Sequence, residues 1–145
     1  RDCVGRDADV LLAKIGVSVD KSVRCIICEA NFLHDFVQHE LMMPILPIVR
    51  VCCIEQAIEF ACEAEHGNRH TAHMHSKNID NLTAFARAVE TTIFVKNAPS
   101  YAGIGYGAEG HCTFTIAGPT GEGITSAKSF TRQRRCVASD SFHIV

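Results

Sequence analysis

The sequence predicts an α/β fold: a parallel sheet with helices on both faces, followed by an extended C-terminal arm. Three observations predict it. From Ile45 onward, short strand-like runs alternate with segments of helical period, in the order β-α-β-α-β. Two of the strand runs, "VRCIICE" and "ILPIVRVC", are apolar over most of their length. Residues 129–145 then lose any one-sided pattern, as an arm pairing with another sheet would.

The 145 residues suffice for one domain with a real core. Hydrophobic content is 47% and charged content 21%, which places the chain among globular proteins. The net charge of −2, from 14 Lys and Arg against 16 Asp and Glu, gives no global reason to expect a nucleic-acid partner. No apolar run approaches the roughly 20 residues that span a bilayer, so no membrane partner is expected. The start carries neither a signal-peptide pattern nor a Met, which fits processing or a piece of something longer. Eight cysteines are many for this length. Cys25, Cys28, Cys52 and Cys62 sit within apolar runs, where thiols act as small hydrophobes, so reduced cysteines in a cytoplasmic protein are expected.

The first helix is expected over Asp7–Ile15. Ala8, Leu11, Leu12 and Ile15 share a face, Asp7 can cap the start, and Gly16 can end it. Strands follow at Val23–Glu29 and Ile45–Cys52, the second with Pro47 near its beginning. Ile54, Ala57, Ile58, Ala61 and Cys62 make an unbroken stripe, with Glu55, Gln56, Glu59 and Glu63 facing away and Gly67 as terminator. Thr71–Ser76 reads as a short strand. Asn78 caps a further helix with Ile79, Leu82, Ala86 and Val89 inward, and Thr91–Lys96 is the next strand. Residues 97–124 are dense in glycine and proline around one strand, His111–Ile116, and a loop of this length is usually functional. Phe130–Val137 is expected to run as an extended strand away from the chain's own core.

Several constellations suggest chemistry. Gly105–Gly110, "GYGAEG", has the letters of a dinucleotide-binding turn. A glycine-rich run precedes it and a strand follows it, whereas the fingerprint needs strand, turn and helix, so it is rejected. Cys25-x-x-Cys28 has redox spacing, but positions i and i+3 of a strand face opposite ways, which leaves two buried thiols. His73 and His75, of the cluster His66, His70, His73 and His75, share a strand face. No acidic or cysteine ligand accompanies them at fixed spacing, so no metal site is expected. Cys52, Cys53 and Cys112 are candidate nucleophiles. Cys112 stands beside His111, yet neighbours on a strand point apart, which argues against a Cys–His pair. Lys128, Arg132, Arg134 and Arg135 make the tail basic; a solvated or pairing strand accounts for them. Glu40 is a lone carboxylate in the apolar stretch "QHELMMPILP". It reads either as a ligand-facing acceptor or as a surface carboxylate on a turn.

The stretch "ELMMPILPIVRV" resembles the Glu-x-x-x-Pro segment of the aldehyde dehydrogenase superfamily. "TTIFVKNAPSYAGIGYGAEG" and "TFTIAGPTGEGITSAKSFTRQRRCV" resemble the C-terminal end of the CoA-acylating members, the propionaldehyde and acetaldehyde enzymes, and "HGNRHTAHMHSKNIDNL" fits the same group. The resemblance covers nearly the whole chain and is loosest over "RDCVGRDADVL". It implies the later part of the catalytic α/β domain over 1–128 and an oligomerisation arm over 129–145, joining copies into a homo-oligomer. It implies a reaction too: a cysteine thiolate attacks the aldehyde, hydride passes to NAD, and CoA takes the acyl group. It implies that Glu40 hydrogen-bonds the nicotinamide ribose and that Met42 packs near the cofactor. Asn97, Tyr101 and Phe114 would line the aldehyde entrance. The glycines of "GYGAEG" would let a loop fold over the acyl and CoA side.

The family's nucleophile lies in an Asn-Leu-Pro-Cys-type motif, which none of the eight cysteines matches. Its cofactor domain lies upstream as well. The resemblance therefore implies a fragment with no catalytic residue of its own, inactive alone. Its location would be the cytoplasm or a bacterial microcompartment within it. A non-acylating relative, or a non-catalytic assembly or binding module, are the alternatives.

Overall fold

The computed structural model describes residues 2–108, 112, 113, 115–118, 123–137 and 139. Two compact units divide the chain, residues 1–67 and 68–145.

In the first unit, α1 (Ala8–Ala13) buries Ala8 and Leu11. Asp7 occupies the N-cap position without a side-chain cap bond, and the helix closes before the expected Ile15. Ile15 is 73% exposed, so the inward stripe ends at Leu12. β1 (Ile26–Glu29) and β2 (Ile45–Ile48) pair in parallel, with Ile26 opposite Ile45 and Glu29 opposite Ile48. Both strands are shorter than their apolar runs, and both alternate half-buried with exposed positions. Ile27 and Leu46 stand opposite each other on the exposed face. The expectation of a run buried on both faces fails there, because apolar letters do not say which face is covered.

Between the strands lies a short helix that periodicity could not announce, α2 (Asp35–Gln38), whose N-cap His34 accepts from the Phe36 amide. α3 (Ile54–Ala64) follows the expected pattern, with one departure. Gln56 is half-buried, and its side-chain oxygen accepts from the Cys52 amide at 2.9 Å, so it holds the helix start instead of facing away. The Phe60 ring of α3 stacks on Phe32 with centroids 4.1 Å apart, which ties α3 to the segment before α2.

In the second unit, β3 (Thr71–Met74), α4 (Ile79–Val89) and β4 (Ile93–Lys96) form a β-α-β unit with the strands parallel. Asn78 caps α4 by accepting from the amides of Asp80 and Asn81. Leu82, Phe85 and Val89 are its buried positions. Ile79, expected inward, is 64% exposed at the first turn. Phe85 takes up the core role and meets Phe94 edge-on at 5.5 Å. Ile93, Val95 and Ala102 form the packed centre, with Ile104, Ile116 and Ile124 against it.

The strand order is thus the one expected. Among the described residues, however, the parallel strands pair two by two, β1 with β2 and β3 with β4. The strand expected at 111–116 begins only at Ile116: β5 (Ile116–Ala117) pairs antiparallel with β6 (Gly123–Ile124). Phe130 ends a 3-10 helix, Ala127–Phe130, held by a Ser126–Ser129 capping box, so no strand starts there. Residues 131–137 are exposed and pair with no strand among the described residues. No helix of the described residues is long and apolar enough to cross a membrane.

Cys25 and Cys52 are exposed, and Cys28 and Cys62 half-buried, so the expectation that these four act as core hydrophobes does not hold. Cys62 comes nearest to it: burial pushes its thiol above the ordinary value, with Glu65 adding to the shift.

Candidate functional site

Glu40 and Met42 lie in the loop between α2 and β2. His39 closes α2 by donating its amide to the Asp35 carbonyl. The chain then turns sharply, because Met42 adopts a left-handed backbone with φ of 54°. The turn is pinned from outside by the Gly5 amide, which donates to the Met42 carbonyl at 3.0 Å. Pro44 then hands its carbonyl to the Ile26 amide at 2.8 Å, which leads the chain into β2.

A cavity of about 310 Å³ results, lined by Phe36, His39, Glu40, Leu41, Met42, Met43 and Ile45. Glu40 is exposed and borders this cavity. Its carboxylate forms no salt bridge among the described residues. Met42 is 65% exposed. A non-glycine residue held in the left-handed region costs about 1–3 kcal/mol, and such strain collects at ligand-handling sites.

The second place lies at the C-terminal ends of β3 and β4, where parallel α/β sheets present their ligand sites. Asn97 also has positive φ, 53°, which asparagine tolerates. Its side chain spans back to β3: Oδ1 accepts from the Ser76 amide at 2.7 Å, and Nδ2 donates to the Ser76 carbonyl at 2.9 Å. With its own amide donated to the Met74 carbonyl, Asn97 prolongs the β3–β4 pairing by one step. Its amide is therefore engaged in positioning.

After Pro99, the 3-10 helix Ser100–Ile104 folds over β4. Tyr101 is 53% exposed and meets Tyr106 edge-on at 5.2 Å. Ser100 Oγ lies 3.1 Å from His73 Nδ1, and the rings of His73 and His75 sit 5.8 Å apart, nearly perpendicular. The closeness of the two histidines was legible in their spacing, although β3 ends at Met74 and only His73 lies on the strand. The Ser100 contact was not, because the two residues are 27 apart and meet only through strand pairing. Among the described residues, no group of three or more His, Cys, Asp and Glu is arranged to hold a metal.

Two of the three glycines of "YAGIGYG", Gly103 and Gly105, have a structural reason. A Cβ on Gly103 would stand 2.2 Å from Ile93 Cγ2, so this helix can lie on β4 only through a glycine. Gly105 ends the helix with φ of 92°. What precedes "GYGAEG" is a 3-10 helix and not a strand, so the dinucleotide fingerprint is absent on structural grounds too. Phe114 and His111 lie outside the described residues, so neither the entrance role of the first nor a His111–Cys112 pair has a geometry here. Cys112 itself is exposed.

No family model matches the chain. It is similar to acetaldehyde dehydrogenase (acetylating) EutE of Salmonella typhimurium, at 52% identity over 145 residues, covering 100% of this chain and 31% of that protein. Among solved structures it is similar to Rhodopseudomonas palustris propionaldehyde dehydrogenase with bound CoA and an acylated cysteine. The identity there is 61% and the TM-score 0.87, over 94% of this chain and 31% of that one. Over its own length the chain is thus similar to CoA-acylating aldehyde dehydrogenases. An engineered glycolyl-CoA reductase with bound NADP+ is similar at 61% identity and TM-score 0.87, again over 94% of this chain and 31% of that one. The chain thus spans about a third of the length of these CoA-acylating dehydrogenases, and it shares their fold over nearly all its own length.

Proposed function

We propose that these residues supply part of the active site of an NAD-dependent CoA-acylating aldehyde dehydrogenase. The reaction is aldehyde + CoA + NAD+ → acyl-CoA + NADH + H+, on a small aldehyde such as acetaldehyde or propionaldehyde. The observation that carries the reading is that Glu40 and Met42 border one cavity, with Met42 held in a strained turn. A bound nicotinamide cofactor would supply the hydride acceptor. Glu40 would accept hydrogen bonds from the nicotinamide ribose, and Met42 would pack its thioether against the ring. Asn97 would set the strand edge from which Tyr101, with Phe114, lines the aldehyde path. The bound CoA and acylated cysteine of the Rhodopseudomonas palustris enzyme support acyl transfer to CoA over hydrolysis.

The test is a chimera in which residues 1–145 replace the matching third of the Salmonella typhimurium relative. It should form NADH from either aldehyde only when CoA is present. NADP+ is assayed in parallel, because a similar reductase binds it. Glu40→Gln in the chimera removes a charge-assisted acceptor worth about 1.5–3 kcal/mol. In single turnovers hydride transfer should slow by roughly 10- to 150-fold. An unchanged hydride step removes Glu40 from the site. The 145-residue chain alone should form no NADH, since none of its cysteines lies in the nucleophile motif.

A further inference from the structure

Cys52 and Cys53 stand in tandem where α3 begins. Cys53 is the N-cap residue, with extended backbone, and Gln56 fixes the preceding amide. Both thiols are exposed, and their sulfurs lie 3.4 Å apart, the one hydrogen-bonded thiol pair among the described residues. Nothing in the proposed reaction uses them.

The geometry selects what such a pair can bind. Adjacent Cα atoms across a trans peptide are about 3.8 Å apart. Disulfides usually need at least about 4.4 Å, and closer ones are strained and easily reduced. Direct closure is therefore disfavoured. A single atom bridging both sulfurs needs no such approach. Two thiolates on one tetrahedral centre, each at about 2.3 Å, lie roughly 3.8 Å apart, close to the separation already present. Structural zinc would require four ligands. Among the described residues no group of three or more His, Cys, Asp and Glu, at this pair or elsewhere, is arranged to hold a metal ion. The ligand must then be a soft centre satisfied by two thiols.

We infer that Cys52 and Cys53 form a bidentate site for monosubstituted trivalent arsenicals, R–As(OH)₂. Each thiol gives its proton to one arsenic hydroxyl. Two As–O bonds break, two As–S bonds form, and two waters leave. The organic group stays as the third substituent and arsenic remains trivalent, so no oxidant or reductant enters.

The probe is phenylarsine oxide, which hydrates to the dihydroxy form, with binding to the 145-residue chain read by intact mass. One equivalent should give one adduct per chain. An excess of 2-mercaptoethanol should leave it in place, and 2,3-dimercaptopropanol should remove it. Cys52→Ser and Cys53→Ser should each weaken binding by about 100-fold, the loss expected when two linked contacts become one. The Cys25→Ser/Cys28→Ser double variant should bind like the parent. Serine at position 53 keeps a good N-cap, so helix content by circular dichroism should not fall. Parent-like affinity in either single variant, loss in the Cys25/Cys28 variant, or stripping by the monothiol would each overturn the assignment.

Discussion

Gly103→Ala should destabilise the second unit, although alanine is the better helix former. The added methyl would lie 2.2 Å from Ile93 Cγ2 and 3.0 Å from Val95 Cγ2. Carbon atoms rest at about 3.5–4.0 Å, so the first contact falls short by roughly 1.5 Å. Ile93 is only 4% exposed and cannot swing into solvent. Either its β-branched side chain leaves its rotamer, at about 0.5–1.5 kcal/mol, or the 3-10 helix lifts off β4. Overpacking of this kind costs about 1–3 kcal/mol, against a gain of about 0.5–1 kcal/mol from replacing glycine. The net loss should be about 1–2 kcal/mol, read as a lower urea midpoint at unchanged m-value. A double-mutant cycle with Ile93→Ala sharpens the test. Truncating Ile93 alone leaves a cavity and costs about 2–5 kcal/mol, but the methyl added at position 103 would then have room. The double variant should be more stable than the sum of the single losses implies. Gly103→Ala equal to or above the parent in stability, or strict additivity in the cycle, would refute the close packing of Ser100–Ile104 on β4.

Three further outcomes follow from particular contacts. Asn97→Ala removes both hydrogen bonds to Ser76 and places a less tolerant residue at positive φ; it should cost about 1–3 kcal/mol, with faster amide exchange at Ser76. Met42→Gly relieves a left-handed backbone and should stabilise the chain by about 1 kcal/mol in thermal unfolding. In the chimera the same change should weaken cofactor binding, so unaltered affinity would separate the strain from the site. Deleting residues 130–145 removes the exposed Phe130 and Val137 and the expected oligomerisation arm; sedimentation should show less self-association than for the full chain, and an unchanged distribution would place any interface elsewhere.

By itself, the sequence determined the order of elements from β2 to β4. It did so because helical period over eleven residues is unmistakable in α3 and α4, and because Asn78 caps by a bond that needs only its own neighbours. The motifs around Glu40 and "YAGIGYG" were likewise enough to point to the proteins the chain is similar to. Tertiary structure decided what depends on partners distant in the chain. Strand lengths were set by pairing, which is why β2 stops at Ile48 although apolar letters run on to Cys52. The exposure of Ile15, Ile27 and Ile79 was set by which faces found cover, and letters alone do not carry that. The same holds at the site. That Glu40 borders a cavity with a strained Met42, and that the Asn97 amide is spent on Ser76, follow from turns pinned by Gly5 and from the parallel pairing of β3 with β4. Local propensity acts over one turn of chain. Hydrogen-bond partners separated by 21 residues or more meet only once the fold has closed, and that closure placed the polar groups that the sequence could only nominate.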